Sequence, residues 1–301
     1  MVMGTCVTIQ VVGHGADRQE ALDRQDTVER ALGWFHQIEA CCTRFDSRSE
    51  LMRLTAQAGV AVPVSALLYE AVQFALAVAE DTDGAFDPTI GHSMETRGFD
   101  REHRTGQVIR TAISPGRTVS YRDVELNPEA RTITLRQPLV LDLGAVAKGL
   151  AIDMAARELH ALEDYAINAG GDLFVAGSNP DGEPWSVGIR HPRLDREIFE
   201  SFRISNQAVC TSGDYERRSH RDADVHHILD PRTGASAQAA ASVTVVAPTA
   251  MVADALATAA FVLGPVEGIQ LLERQGVDGL AISPSLERFA TPGMFTGDRA
   301  R

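Results

Sequence analysis

Lysine is almost absent from this chain. A single one, Lys148, stands among 28 Lys and Arg residues in a total of 301. Lysine is a compact charge on a flexible stem and arginine is a planar fork, so the two do not exchange freely at a tight site. Lys148 lies in Leu141-Asp142-Leu143-Gly144-Ala145-Val146-Ala147-Lys148-Gly149, an apolar stretch and a poor setting for a solvated surface lysine. Positive charge is scarce overall. The formal net charge of −13 argues against a general nucleic-acid binder. Any phosphate-bearing substrate must then be neutralised locally, by a metal or a few basic groups. Cysteine is sparse too: Cys6, Cys41, Cys42 and Cys210. They form no CxxC pair of the kind that binds zinc, and the adjacent Cys41 and Cys42 are poor disulfide partners for each other. We read them as free thiols in a reducing compartment. No apolar run reaches the length of a membrane span. The start, Met1 to Cys6, lacks the charged head and apolar stretch of a signal peptide. The expected location is therefore cytoplasmic, with an exported form after leader removal left open. Also missing are GxxxxGK[ST], GxGxxG and GxSxG. A nucleotide, if bound, is held by some other fold.

The length suits one large domain over residues 1–301, or two intimately joined subdomains. Strands are expected at Val7–Val12, broken by Gly13 and Gly15, and at Thr132–Leu135, Leu139–Leu143, Tyr165–Asn168 and Asp172–Ala176. More are expected at Trp185–Ile189, Phe199–Ile204, Ala208–Thr211 and Ser242–Val246, with Leu280–Ile282 closing the sheet. Helical spacing marks Gln19–Cys41, Ala145–Leu159, Thr249–Leu263 and Val266–Gln275. Ser65 reads as the N-cap of a further helix running to about Ala79. Arg97 to Pro115 reads as polar loop. Strands and helices mix without a regular βαβ alternation, so the fold class is α+β, with mixed or antiparallel sheets and packed helices.

Several segments suggest chemistry. Asp254 and Thr258 stand at i and i+4 of one helix, which puts a carboxylate and a hydroxyl on one face. Hard oxygens of this kind suit Mg²⁺, which takes few protein ligands. Paired glycines before Asp172 fit either a hairpin turn or a backbone that approaches a nucleotide. Thr82 to Thr89 is a helix-terminating turn or a grip on a heterocycle or ribose through Asp87. His226 and His227, beside Asp230, offer a general base near neutral pH.

Taken in order, these segments resemble the FAD:protein FMN transferase family, often called ApbE-like. The resemblance rests on Gly84-Ala85-Phe86-Asp87-Pro88-Thr89, Asp142 to Gly149, and Asn168-Ala169-Gly170-Gly171-Asp172. It rests further on Thr211-Ser212-Gly213-Asp214-Tyr215, His227 to Gly234, and Ala253-Asp254-Ala255-Leu256-Ala257-Thr258. It spans most of the chain, from Met3-Gly4-Thr5 to beyond Thr258. It implies an ApbE-like fold and Mg²⁺-dependent transfer of FMN from FAD to a Ser or Thr hydroxyl of an acceptor protein, releasing AMP. The residues it implies as metal ligands are Asp254, Thr258 and the carbonyl of Ala145. Those it implies at FAD are Met3, Thr43-Arg44-Phe45, Ala85-Phe86-Asp87, Lys148, Gly171 and Asp172, with His227 as general base. The partners implied are FAD and the acceptor protein, with no nucleic acid and no membrane span. There are two rivals: an FAD pyrophosphatase, which uses the same residues with water replacing the acceptor hydroxyl, and a non-catalytic FAD-binding protein, against which the presence of Asp254, Thr258 and His227 argues. The fit is loose at Ser49 to Leu54, and Thr55 stands where the family commonly has Asn.

Overall fold

The computed structural model describes residues 1–13, 18–113 and 118–295. Gly15, and residues 114–115 of the polar stretch, lie outside them. The first half holds β1 (Val7–Val11), α1 (Arg18–Cys42), α2 (Glu50–Thr55), β2 (Ala61–Pro63), α3 (Ala66–Asp81), α4 (Gly91–Thr96), β3 (Val124–Asn127), β4 (Thr132–Leu135) and α5 (Gly144–Leu159). The second half holds β5 (Tyr165–Ala169), β6 (Asp172–Ala176), β7 (Trp185–Arg190), β8 (Ile198–Ile204), β9 (Gln207–Gly213), β10 (Leu229–Asp230), β11 (Ala235–Ser236), β12 (Ser242–Ala247), α6 (Ala250–Leu263), α7 (Pro265–Arg274), β13 (Asp278–Ile282) and β14 (Arg288–Ala290).

The main sheet runs β1-β5-β6-β9-β12-β13-β14, and every neighbouring pair is antiparallel. Strand periodicity splits its side chains between two layers. Along β9, Ala208 and Cys210 join the large core beneath α5 and α6, while Val209 joins a smaller cluster with Trp185, Val187 and Ile189 of β7. The β7–β8 hairpin thus covers one face and the helices cover the other. Helix α6 is buried nearly all round, as its Ala- and Val-rich sequence requires. It packs on α5 at Gly149, where a Cβ would stand 2.5 Å from Met251 Cα and 2.6 Å from the Ala250 oxygen. Glycine is what allows the two helices to come that close.

Ser65 caps α3 by accepting from the Leu68 amide at 3.2 Å, as its sequence context predicts. Two expectations are corrected. Leu139–Leu143 forms no strand, although Leu139, Val140 and Leu141 are fully buried. Its backbone bonds go to a turn instead of a ladder: Gly91 N donates to Val140 O at 3.1 Å and Asp142 N donates to Pro88 O at 2.8 Å. An apolar run signals burial and does not say which partner satisfies the backbone. Leu280–Ile282 lies in β13 but does not close the sheet, because β14 pairs outside it, Leu280 opposite Ala290. A three-residue edge strand carries too little alternation to be seen. No helix among the described residues is long and apolar enough to cross a membrane.

Candidate active site

Asp254 is a carboxylate on the buried helix α6, 6% exposed, and its Oδ2 has no hydrogen-bond partner. Burial pushes its carboxyl up to about 7. Lys148 and Arg217 pull the other way, the Asp172 charge adds to the rise, and the Gly149 amide donates to it. A buried carboxylate left so incompletely paired is costly in a purely structural role. One turn along, the Thr258 hydroxyl lies 3.2 Å from Ser212 Oγ on β9. The i, i+4 pair therefore faces the same side, toward the strand end.

The first turn of α6 is fixed by α5. Thr249 makes no side-chain cap, and Asp153 takes over, accepting from Ala250 N at 2.7 Å and Met251 N at 3.0 Å. Burial raises the Asp153 carboxyl to about 6, against those two amides. The sequence reading missed this cap, because it comes from another helix. The same α5 carries Ala145 in its first turn and Lys148 one turn on. Lys148 Nζ pairs with Asp172 Oδ2, the two side chains being 22% and 3% exposed. Burial alone would release its proton. The Asp172 and Asp254 charges outweigh that and hold its pKa above the ordinary lysine value. Asp172 Oδ1 also accepts from Thr211 N at 3.1 Å, so β6, β9 and α5 meet at this carboxylate.

Gly170 and Gly171, at φ +68° and +102°, form the tight turn of the β5–β6 hairpin, and Gly171 N donates to Asn168 Oδ1 at 2.9 Å. The turn reading of the paired glycines holds. The turn also abuts the N-terminal motif, since a Cβ on Gly170 would run into Thr5 Oγ1. Val2 and Thr5 exchange backbone bonds around Met3, whose φ is +52° and whose amide donates to Glu39 Oε1 at 2.7 Å.

A second cluster adjoins the first. Arg44 is buried; its Nε donates to Asp142 Oδ2 at 2.6 Å and its guanidinium lies over the Phe45 ring at 4.2 Å. Burial would raise the Asp142 carboxyl. Arg44 and the Gly144 amide outweigh it and hold the pKa below the usual carboxylate range. Thr43 Oγ1 accepts from Phe45 N at 3.1 Å, and Thr43 O accepts from Ser49, the α2 cap, at 2.6 Å. The loosely matching segment 49–54 is thus a helix that braces Thr43-Arg44-Phe45, with Thr55 buried at its end. Ala85 and Phe86 are buried in the large core. Asp87 accepts from Thr89 N at 2.8 Å, Thr89 Oγ1 at 2.7 Å and Tyr121 N at 3.0 Å. Its carboxylate therefore holds the turn that presents Ala85 and Phe86.

His227 closes the site. Its Nδ1 is buried without a hydrogen-bond partner, and its ring meets Phe99 edge-on at 6.5 Å. Burial drives its pKa down to about 3, helped by the Arg217, His226 and Lys148 charges, so the imidazole is neutral. His226 plays a different part: it is buried, its Nε2 is 2.8 Å from Ala237 O, and it packs on Phe261 of α6. Asp230 is occupied by Arg232 at 2.9 Å and 3.0 Å and does not orient either histidine. Phe99 is followed in the chain by Asp100. That residue is fully buried and accepts from Arg110 Nε at 2.5 Å and Arg221 Nη2 at 2.6 Å, tying the polar loop after α4 to the loop after β9. Asp100 and Arg217 were not singled out from the sequence. Both stand in polar loops with no periodicity, and only long-range contacts give them meaning.

Among the described residues no three His, Cys, Asp or Glu side chains cluster in a ligating arrangement. The set implied for a metal has one carboxylate, one hydroxyl and one carbonyl, and so is not a cluster of that type. The four cysteines all carry free thiols.

Comparison with known proteins places these features in context. The ApbE family profile matches residues 3–281. A Treponema pallidum protein named FAD:protein FMN transferase is 34% identical over 325 aligned positions, covering 100% of this chain and 87% of its own length. A Haemophilus influenzae protein of the same name is 29% identical, covering 91% and 82%. Among solved structures, the ApbE protein from Thermotoga maritima superposes with a TM-score of 0.84 at 30% identity, covering 97% of this chain and 95% of that one. The flavin transferase ApbE from Vibrio cholerae gives 0.80 at 26%, covering 98% and 96%. A match over nearly the whole length, in both sequence and fold, means that this chain belongs to the ApbE family.

Proposed function

We propose that this protein transfers the FMN moiety of FAD to a Ser or Thr hydroxyl of an acceptor protein, with AMP as the leaving group. The relatives above carry that activity in their names. The observation that carries the proposal is Asp254, a buried carboxylate with an unpartnered oxygen that a structural role does not explain. The charges of Lys148 and Arg217 act both on Asp254 and on the neutral His227, so the two share those neighbours.

The donor chemistry fits Mg²⁺. Asp254 Oδ2 is a free hard oxygen, the Thr258 hydroxyl lies on the same face, and the Ala145 carbonyl belongs to the first turn of the adjoining α5. When bound there, the ion would draw negative charge from the pyrophosphate and from the departing AMP. The protein's own groups do the rest. The acceptor hydroxyl oxygen forms a bond to the FMN phosphorus, and the bond from that phosphorus to the bridging oxygen breaks. AMP leaves with the electron pair, and the hydroxyl proton passes to His227. A neutral imidazole can take it. Its low pKa reflects burial and nearby cations, and a bound pyrophosphate anion opposes both effects. Lys148 pairs with Asp172 and adds positive charge to the FAD site. We further read Met3, Thr43-Arg44-Phe45, Ala85-Phe86 and Gly171 as lining for FAD, with Asp87 and Asp172 holding the segments that present them. One domain over residues 1–301 and a cytoplasmic location complete the proposal, supported by the shared core beneath α5 and α6 and by the free thiols.

The test is incubation with FAD, Mg²⁺ and candidate acceptors, followed by denaturing electrophoresis. A fluorescent acceptor band that survives denaturation is expected. AMP release at the same rate with and without acceptor would instead identify an FAD pyrophosphatase.

A further inference from the structure

Arg217 is an exposed arginine whose guanidinium makes no hydrogen bond or ion pair among the described residues. Its backbone is pinned: Arg217 O accepts from His227 N at 3.1 Å, and the next residue, Arg218, bridges to His226. Its Nη2 reaches the N-terminal turn, 3.7 Å from where a Gly4 Cβ would stand. The same charge acts on Asp142 of the Arg44 cluster, on Asp254 of α6 and on His227. Arg217 therefore faces the space that the Met3 turn, the Asp142 segment, α6 and His227 share.

None of these neighbours uses it. Asp142 is already held by Arg44 Nε at 2.6 Å and Gly144 N at 2.8 Å, and Asp172 is held by Lys148. Among the described residues nothing occupies the planar fork. A guanidinium matches two oxygens of a phosphate bidentately and is the side chain best suited to such a group. In a chain of net charge −13, an anionic substrate needs cations placed at the point of contact.

We propose that Arg217 binds the pyrophosphate of FAD directly, at the junction of the two clusters. This rests on the flavin-transfer reading above. Arg217→Gln and Arg217→Lys, made in the full chain, test it. Dissociation constants are measured with Mg²⁺ for FAD, for ADP as a pyrophosphate probe, and for riboflavin as a flavin probe without phosphate. Arg217→Gln should weaken FAD and ADP by ~10–100-fold, the scale of one charge-assisted bidentate contact, and leave riboflavin unchanged. Arg217→Lys should recover part of the loss. The exposed side chain predicts an unchanged melting temperature, which separates lost binding from lost folding. Wild-type flavin transfer together with undiminished FAD affinity in Arg217→Gln would overturn the assignment of Arg217 alone. Equal losses for riboflavin would do the same. A wild-type protein that binds no FAD would overturn both readings.

Discussion

At the scale of single residues, the site is a set of charges kept from cancelling one another. Lys148 has a partner in Asp172, whereas Asp254 retains a free oxygen at the same centre. That arrangement carries a stability cost, because a buried carboxylate is destabilising unless fully paired. Asp254→Asn should therefore leave the metal-free protein at least as stable as wild type by thermal melting, while lowering FMN transfer by ~100-fold or more. Lower stability together with retained activity would make Asp254 a structural residue. His227 gives a pH prediction. Its folded pKa of about 3 is below the ordinary histidine value of 6.5. The unfolded chain therefore takes up a proton first as pH falls, and stability present above 6.5 is lost progressively toward the folded value. Asp254 and Asp153, raised to about 7 and about 6, bind protons in the folded state over the same range and act in the opposite sense. The His227 contribution is therefore read as a difference: the denaturation midpoint of wild type relative to His227→Gln should fall between pH 6.5 and about 5. From the sequence, Asp254, Thr258 and His227 could be picked out by type and spacing. The partner of Lys148 could not, because Asp172 is distant in sequence and the pairing depends on how β6 meets α5.

At the scale of elements, the crossing of α5 over α6 sets the site. Asp153 caps α6 from α5, and Gly149 lets the two backbones touch. Gly149→Ala must push Ala250 and Met251 away and shift Asp254 relative to Ala145. We expect it to destabilise the fold by ~1–3 kcal/mol in chemical denaturation, despite the better helix propensity of alanine. A gain in stability would show that the helices yield without strain. Long periodic helices and β-rich runs were legible: α1, α3, α5, α6 and α7 lie where their apolar spacing puts them. Short or irregular pieces were not. Helices α2 and α4 have six residues each, too few to show a period, and Leu139–Leu143 looked like a strand because burial and strand pairing leave the same apolar signature.

At the scale of the whole molecule, an acidic protein gathers its few useful cations, Arg44, Lys148 and Arg217, in one region. Each comes from a different part of the chain, and an antiparallel sheet with two crossing helices brings them together. Fold class and family were legible because six motifs recur in order. The charge network was not, because it is made by contacts between loops that share no pattern. The central claim is that the bond broken in FAD and the bond made to the acceptor belong to one reaction. The most direct test is to count both products with FAD, Mg²⁺ and a flavin-accepting protein: AMP by chromatography and FMN-sized additions by intact-mass spectrometry. One AMP per modified acceptor, with both lost in Asp254→Asn, is the predicted result. AMP formed with no addition to any acceptor would contradict it.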